Sequence, residues 1–275
     1  MGSISKRIEG ISKSWLGYCQ ICGIYGKLTK DHVPPKAAIQ LTKTEQKLMS
    51  EVYASKSDKK IKGVIGKGGS TFLTLCGKCN GEHVGGVNDE EVSRVYKLLH
   101  QKVIEHIKKP FAYSNSISIE LDARKFLRAM VGHVLSATTS KLCENPLNDK
   151  APDQKLRDFV LGSDSALIDN YDIYYWYYPY RRHISARYVA FRNKGHSTVV
   201  DCLHFFPMAF LITKKGEGTF PAQANQLELI DTKITLEITA RNLEYAQFPF
   251  VSLIGDQLMA SSDQLCITSM PLNSD

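Results

Sequence analysis

The chain lacks an apolar run long enough to cross a bilayer, and its start is polar and basic rather than the charged tip and apolar core of a secretory signal. Both absences point away from membranes and secretion, so a cytoplasmic protein is expected. A disulfide framework is also missing. The cysteine total of seven is odd, and Cys143, Cys202 and Cys266 are scattered, which fits reduced thiols. No internal repeat or low-complexity segment stands out in the 275 residues, which suffice for a small stapled module plus one conventional domain with its own core. The glycine-rich stretch Gly63 to Ser70 (GVIGKGGS) lacks the order G-x-x-x-x-G-K-[ST], because Gly68 follows Lys67, and nucleotide binding there is discounted.

Acidic residues are scarce in the first part of the chain. Residues 1 to 110 carry 19 Lys+Arg against 10 Asp+Glu, a net charge of +9, and the remainder carries 16 against 18, a net of −2. A positive field confined to one part suits a phosphate backbone, because each neutralised phosphate releases counterions. DNA is the expected partner.

Against this background stand two C-x-x-C knuckles, Cys19/Cys22 and Cys76/Cys79, which enclose Asp31 and His32 and are followed at once by Asn80. Four thiolates at this spacing suit one tetrahedral zinc, whose binding supplies folding energy that a short, loop-rich segment cannot draw from its own core. The zinc is expected to be structural. Two unrelated thiol pairs are the plainer alternative, and the spacing argues against it. Closing both knuckles on one ion folds the intervening chain back, so that Asp31, His32 and Asn80 converge beside a site that the zinc does not fill.

Phosphodiester hydrolysis calls for a hard divalent cation in an oxygen-rich, incompletely filled shell, and for a neutral imidazole near it that takes a proton from water near pH 7. Asp31 and the side-chain carbonyl of Asn80 suit Mg2+ or Mn2+, and His32 suits the base. Asn80 followed by Gly81 is also a common helix-start or turn pair. Glu82 and His83 read as solvated surface residues.

Through CQIC (Cys19 to Cys22), LTKDHVPPK (Leu28 to Lys36) and LCGKCN (Leu75 to Asn80), the chain resembles the HNH (ββα-metal) endonucleases, in their zinc-stapled branch. The resemblance covers roughly residues 15 to 100. It implies that His32 is the general base, Asp31 the first metal ligand and Asn80 the second. One letter departs from the pattern: Thr71 stands where the family's middle Asn, which props the loop, is expected. Such modules serve in bacteria and phages as defence effectors or mobile-element enzymes, and the resemblance implies the same setting here.

Lys36 closes the motif LTKDHVPPK, and Lys56, Lys59, Lys60, Lys62 and Lys67 lie on the insertion between Asp31-His32 and the second knuckle. Lys36, Lys59, Lys60, Lys62 and Lys67 are the candidate DNA contacts, with a solvated loop as the alternative.

Apolar spacing predicts a leading helix over residues 5 to 16, a strand carrying Asp31 and His32 that ends at Pro34 and Pro35, and a second strand over Phe72 to Leu75. It further predicts a helix over Glu90 to Lys108, a helix capped by Asp122 with Phe126, Leu127, Met130, Val131, Val134 and Leu135 on one face, and a third opened by Pro152. β-rich runs follow at Tyr171 to Tyr178, Ile184 to Phe191, Thr198 to Phe206, Ala209 to Thr213, Leu227 to Ile230 and Ile234 to Thr239. The expected fold class is α+β: a ββα-metal nuclease module over residues 1–110, then an α+β domain over 111–275 with helices packed on a mainly antiparallel sheet.

The tyrosine-rich run Tyr171, Tyr174, Tyr175, Trp176, Tyr177, Tyr178 and Tyr180 reads as core or subunit contact. Arg181, Arg182 and His183 read as a solvated turn, and Cys202 and His204 as packing. The expected function is metal-dependent cleavage of DNA, with residues 111–275 sensing a protein or small-ligand regulator, forming a homodimer or selecting the target. The alternatives are a zinc-stapled DNA-binding protein without cleavage, and a docking protein with a zinc finger.

Overall fold

A computed structural model describes residues 16–39, 43–54, 63–66, 70–109, 115–148, 151–239, 243–262 and 265–272. The expected leading helix falls outside these residues except for Leu16, which begins a strand. Lys56, Lys59, Lys60, Lys62 and Lys67 lie outside them as well.

Strands β1 (Leu16–Tyr18) and β2 (Tyr25–His32) form an antiparallel hairpin around the first knuckle, where Gly23 takes a φ of 71° that L side chains rarely adopt. The chain then leaves to make β3 (Thr44–Leu48), helix α1 (Met49–Ala54) and β4 (Val64–Gly66), before β5 (Thr71–Cys76) returns to pair with β2. A wide helical turn over Cys79–Val84 follows, with Gly85 N donating to the Asn80 carbonyl at 3.0 Å in an i to i+5 closure.

Helix α2 (Val87–Ile107) buries Val92, Val95, Tyr96, Leu99 and Val103, and its stripe ends before Ile107, which is 62% exposed. After β6 (Ser116–Glu120), helix α3 (Ala123–Ser136) starts at Asp122, whose side chain accepts from Lys125 N at 3.1 Å, as the expected cap requires. Its apolar face is buried throughout, each large side chain contributing roughly 1.5–3 kcal/mol. Helices α4 (Gln154–Val160) and α5 (Asp164–Ile168) complete this layer.

The remaining strands are β7 (Tyr171–Tyr177), β8 (His183–Asn193), β9 (His196–Phe205), β10 (Met208–Lys214), β11 (Asn225–Gln226), β12 (Lys233–Glu237), β13 (Leu258–Ala260) and β14 (Cys266–Pro271). The main sheet runs β11-β7-β10-β9-β8-β14-β3-β4, with β13 added on β8, while β1-β2-β5 and β6-β12 form two smaller sheets. The fold is α+β with a mainly antiparallel sheet, as expected. No helix among the described residues is long and apolar enough to cross a membrane.

Two expectations need correction. The apolar run Leu227 to Ile230 is not a strand: Leu227 is buried, but Glu228 N donates to the Asp231 carboxylate at 2.7 Å, which turns the chain and leaves Ile230 81% exposed. His183 is not in a solvated turn but begins β8 and is buried. Strands β3 and β4, from the insertion, extend the main sheet through β14, pairing Leu48 with Ile267. The large core cluster likewise holds Leu28 and Leu75 together with Phe126, Phe159 and Phe205, so packing is continuous across residue 110.

Candidate functional site

Both knuckles converge. The ligand atoms of Cys19, Cys22, Cys76 and Cys79 all lie within 4.8 Å of one another. Sulfurs bound at about 2.3 Å to the corners of a tetrahedron stand about 3.8 Å apart, and the Cys22 and Cys76 sulfurs are 3.8 Å apart. The four therefore form a group able to hold a structural zinc. Backbone bonds shape the cradle: Gly23 N donates to the Cys19 carbonyl at 2.9 Å, Cys19 N to the Ile24 carbonyl at 3.1 Å, and Gln20 N to the Thr74 carbonyl at 2.9 Å, docking the knuckle on β5.

The knuckle is also tied to the helical layer. Gln20 Nε2 donates to the Leu142 carbonyl at 3.2 Å, and Arg157 Nε donates to the Gln20 carbonyl at 3.2 Å. Arg157 is itself paired with the buried Asp153, which also holds Arg187 of β8. Thr74 Oγ1 on β5 donates to the Ser136 carbonyl at the end of α3, at 2.7 Å.

Asp31 and His32 end β2, with Asp31 opposite Phe72 and His32 opposite Thr71 on β5. Alternation along the strand turns Asp31 inward, where it is 3% exposed, and leaves His32 half-buried. Asp31 Oδ2 lies 3.0 Å from His133 Nδ1 on α3, and His133 Nε2 lies 2.7 Å from Asp89 Oδ1 on α2. Burial alone would depress the His133 imidazole. The charges of Asp31 and Asp89, with a hydrogen bond to each, outweigh it and raise its pKa to about 10. For His32, burial comes first and lowers its pKa; Asp31 pulls the other way, and Lys36 and Lys30 push it down again.

Asn80 does not cap a helix. Its Nδ2 donates to Thr29 Oγ1 and to the Lys30 carbonyl, each at 3.0 Å, across the bulge where β2 and β5 slip register between Thr29 and Lys30. Both bonds use the amide nitrogen and not the carbonyl Oδ1. They also prop the hairpin from the turn that follows the second knuckle. Val84, at the end of the same turn, packs on Gly132 of α3, where a Cβ would collide with it. Glu82 is exposed and His83 half-buried, its carbonyl accepting from Asn88 Nδ2 at 2.9 Å.

Among the candidate DNA contacts, Lys36 is described and exposed, close enough for its charge to act on His32. Lys27, Lys30 and Lys78 are exposed on the same hairpin and second knuckle. Lys59, Lys60, Lys62 and Lys67 lie outside the described residues. The aromatic run is core: Tyr175, Trp176 and Tyr178 are buried, with Trp176 Nε1 donating to the Ala246 carbonyl at 2.9 Å. His204 is packing too, both ring nitrogens being engaged by backbone groups.

Sequence reasoning missed His133 and Asp89. The signal for His133 was a lone ionisable residue inside the apolar stretch Met130 to Leu135. No protein family, curated protein or solved structure matches the chain.

Proposed function

We propose that the protein is a metal-dependent endonuclease that hydrolyses phosphodiester bonds in DNA. One observation carries this reading: the Asn80 amide is bonded to Lys30, so Asp31, His32 and Asn80 share one frame beside the four-cysteine group. A carboxylate and an amide carbonyl form a donor set suited to Mg2+ or Mn2+, and a cation held by Asp31 and the Asn80 carbonyl would supply charge stabilisation at the phosphate and the leaving 3′-oxygen.

The chain's own residues do the rest. His32, with its pKa held below the ordinary imidazole value, is neutral at pH 7 and accepts the proton of the attacking water. The water oxygen forms the new bond to phosphorus as the bond to the 3′-oxygen breaks. Lys27, Lys36 and Lys78, exposed around the hairpin, attract the phosphate backbone without reading sequence. A zinc on the four-cysteine group would hold the hairpin and turn together.

The test is cleavage of plasmid DNA by the purified chain with Mg2+ or Mn2+ present or chelated. Divalent-dependent nicking or linearisation supports the proposal. Salt-sensitive binding without cleavage would instead favour a DNA-binding protein built on the same zinc frame.

A further inference from the structure

Helix α3 buries two polar side chains, Ser136 in its last turn and His133, which is fully buried between two carboxylates. One of these, Asp31, belongs to the hairpin; the other, Asp89, belongs to the first turn of α2, and its side chain is 34% exposed. Burying an ionisable ring costs more than burying Leu, and only its bonds to the two carboxylates offset that desolvation. Both nitrogens are used, at 3.0 Å and 2.7 Å, so the ring can neither rotate nor flip without breaking a bond to a carboxylate.

We infer that the chain Asp89–His133–Asp31 is a positioning relay that fixes the Asp31 carboxylate for cation binding, with His133 and Asp89 as positioning residues. The inference rests on the reading of Asp31 as a cation ligand. His133 bonds to Oδ2 of Asp31, which restrains the carboxylate and would leave Oδ1 as the cation-facing oxygen. Outer partners of this kind orient metal ligands and typically change metal affinity about 10–100-fold when removed. The relay also explains why residues beyond the hairpin belong to the site: α3 brings His133, and Gly132 beside it lets the Asn80 turn dock against the same helix. Both proposed cation ligands are thus set by one segment of α3.

The experiment is a titration of the full chain with Mn2+, free Mn2+ being read by electron paramagnetic resonance without DNA, for the native protein, His133→Leu, His133→Asn and Asp89→Asn. Circular dichroism and zinc content monitor the fold. The relay requires His133→Leu to bind Mn2+ about tenfold more weakly or worse, and Asp89→Asn to bind it more weakly than the native protein. His133→Asn, which keeps a donor towards Asp31, should recover most of the loss. Native affinity in folded His133→Leu and in Asp89→Asn overturns the relay while leaving the cation site standing. If His133→Leu does not fold, Asp89→Asn decides alone. A native protein that binds no Mn2+ overturns the cation-site reading, and the relay with it.

Discussion

Asn80 Nδ2 lies 3.0 Å from the Lys30 carbonyl oxygen, joining the turn after the second knuckle to the strand that carries Asp31 and His32. Asn80→Ala removes this bond and the one to Thr29, and a loss of about 1–2 kcal/mol in urea unfolding is expected. Asn80→Asp keeps an oxygen for a cation but turns a carboxylate towards the Lys30 carbonyl, so it should be at least as destabilising. A stable, fully active Asn80→Asp would show that the amide donor is dispensable.

Gly132 predicts a packing effect of opposite sign to helix propensity. Alanine in a helix is favoured over glycine by about 1 kcal/mol, yet a Cβ here would meet Val84 Cγ2, an overpacking that costs typically 1–3 kcal/mol. Gly132→Ala is expected to be destabilising, and Val84→Ala in the same chain should return part of the loss. Thermal midpoints of the two single variants and the double decide this.

The four-cysteine group predicts one zinc per chain by elemental analysis. Cys76→Ser should lose it and unfold the hairpin, because binding at structural sites is worth on the order of 10 kcal/mol. Cys143→Ser, at a buried thiol outside the group, should keep its zinc. Equal zinc content in both variants would remove the staple from the account.

Acid sensitivity follows from the main sheet. His204 donates from Nε2 to the Phe248 carbonyl at 2.8 Å and accepts at Nδ1 from Phe210 N at 3.3 Å, so the core holds the neutral ring. Burial lowers His204 to about 4, and it does the same to His183. The unfolded chain takes up these protons near pH 6.5 and the native chain does not, so their contribution is present above that pH and is lost as pH falls towards 4, about 3 kcal/mol apiece. Asp201, raised to about 6 by burial, works the other way over the same window and offsets roughly one of them. His204→Gln, which keeps a donor for Phe248, should lose about 3 kcal/mol less than the native protein between pH 6.5 and 4; an unchanged acid dependence would contradict the assignment.

The four-cysteine group was legible because ligand spacing is local, and so was the Asp122 cap, whose bond spans three residues. The strands Tyr171–Tyr177 through Met208–Lys214 were legible because their β-rich apolar runs are separated by breakers. Strand β3 was not. Its sequence TEQKL buries Thr44 and Gln46 in the sheet, so no apolar alternation announces it, and its partner β14 lies more than 200 residues away. His133 stayed hidden for a related reason. Its partners Asp31 and Asp89 come from other elements, and nothing in the helix itself reveals that a buried imidazole bridges them. Asn80 stands out in the sequence by its place after the second knuckle, but the use of its amide nitrogen depends on a register slip in β2 that spacing cannot show.

The most direct measurement is plasmid cleavage by the native protein and His32→Ala side by side, with Mg2+ or Mn2+ and with chelator. The account predicts divalent-dependent nicking or linearisation that falls about a hundredfold or more in His32→Ala, the size expected for loss of a general base, with zinc content and fold unchanged. Equal cleavage by His32→Ala would contradict it.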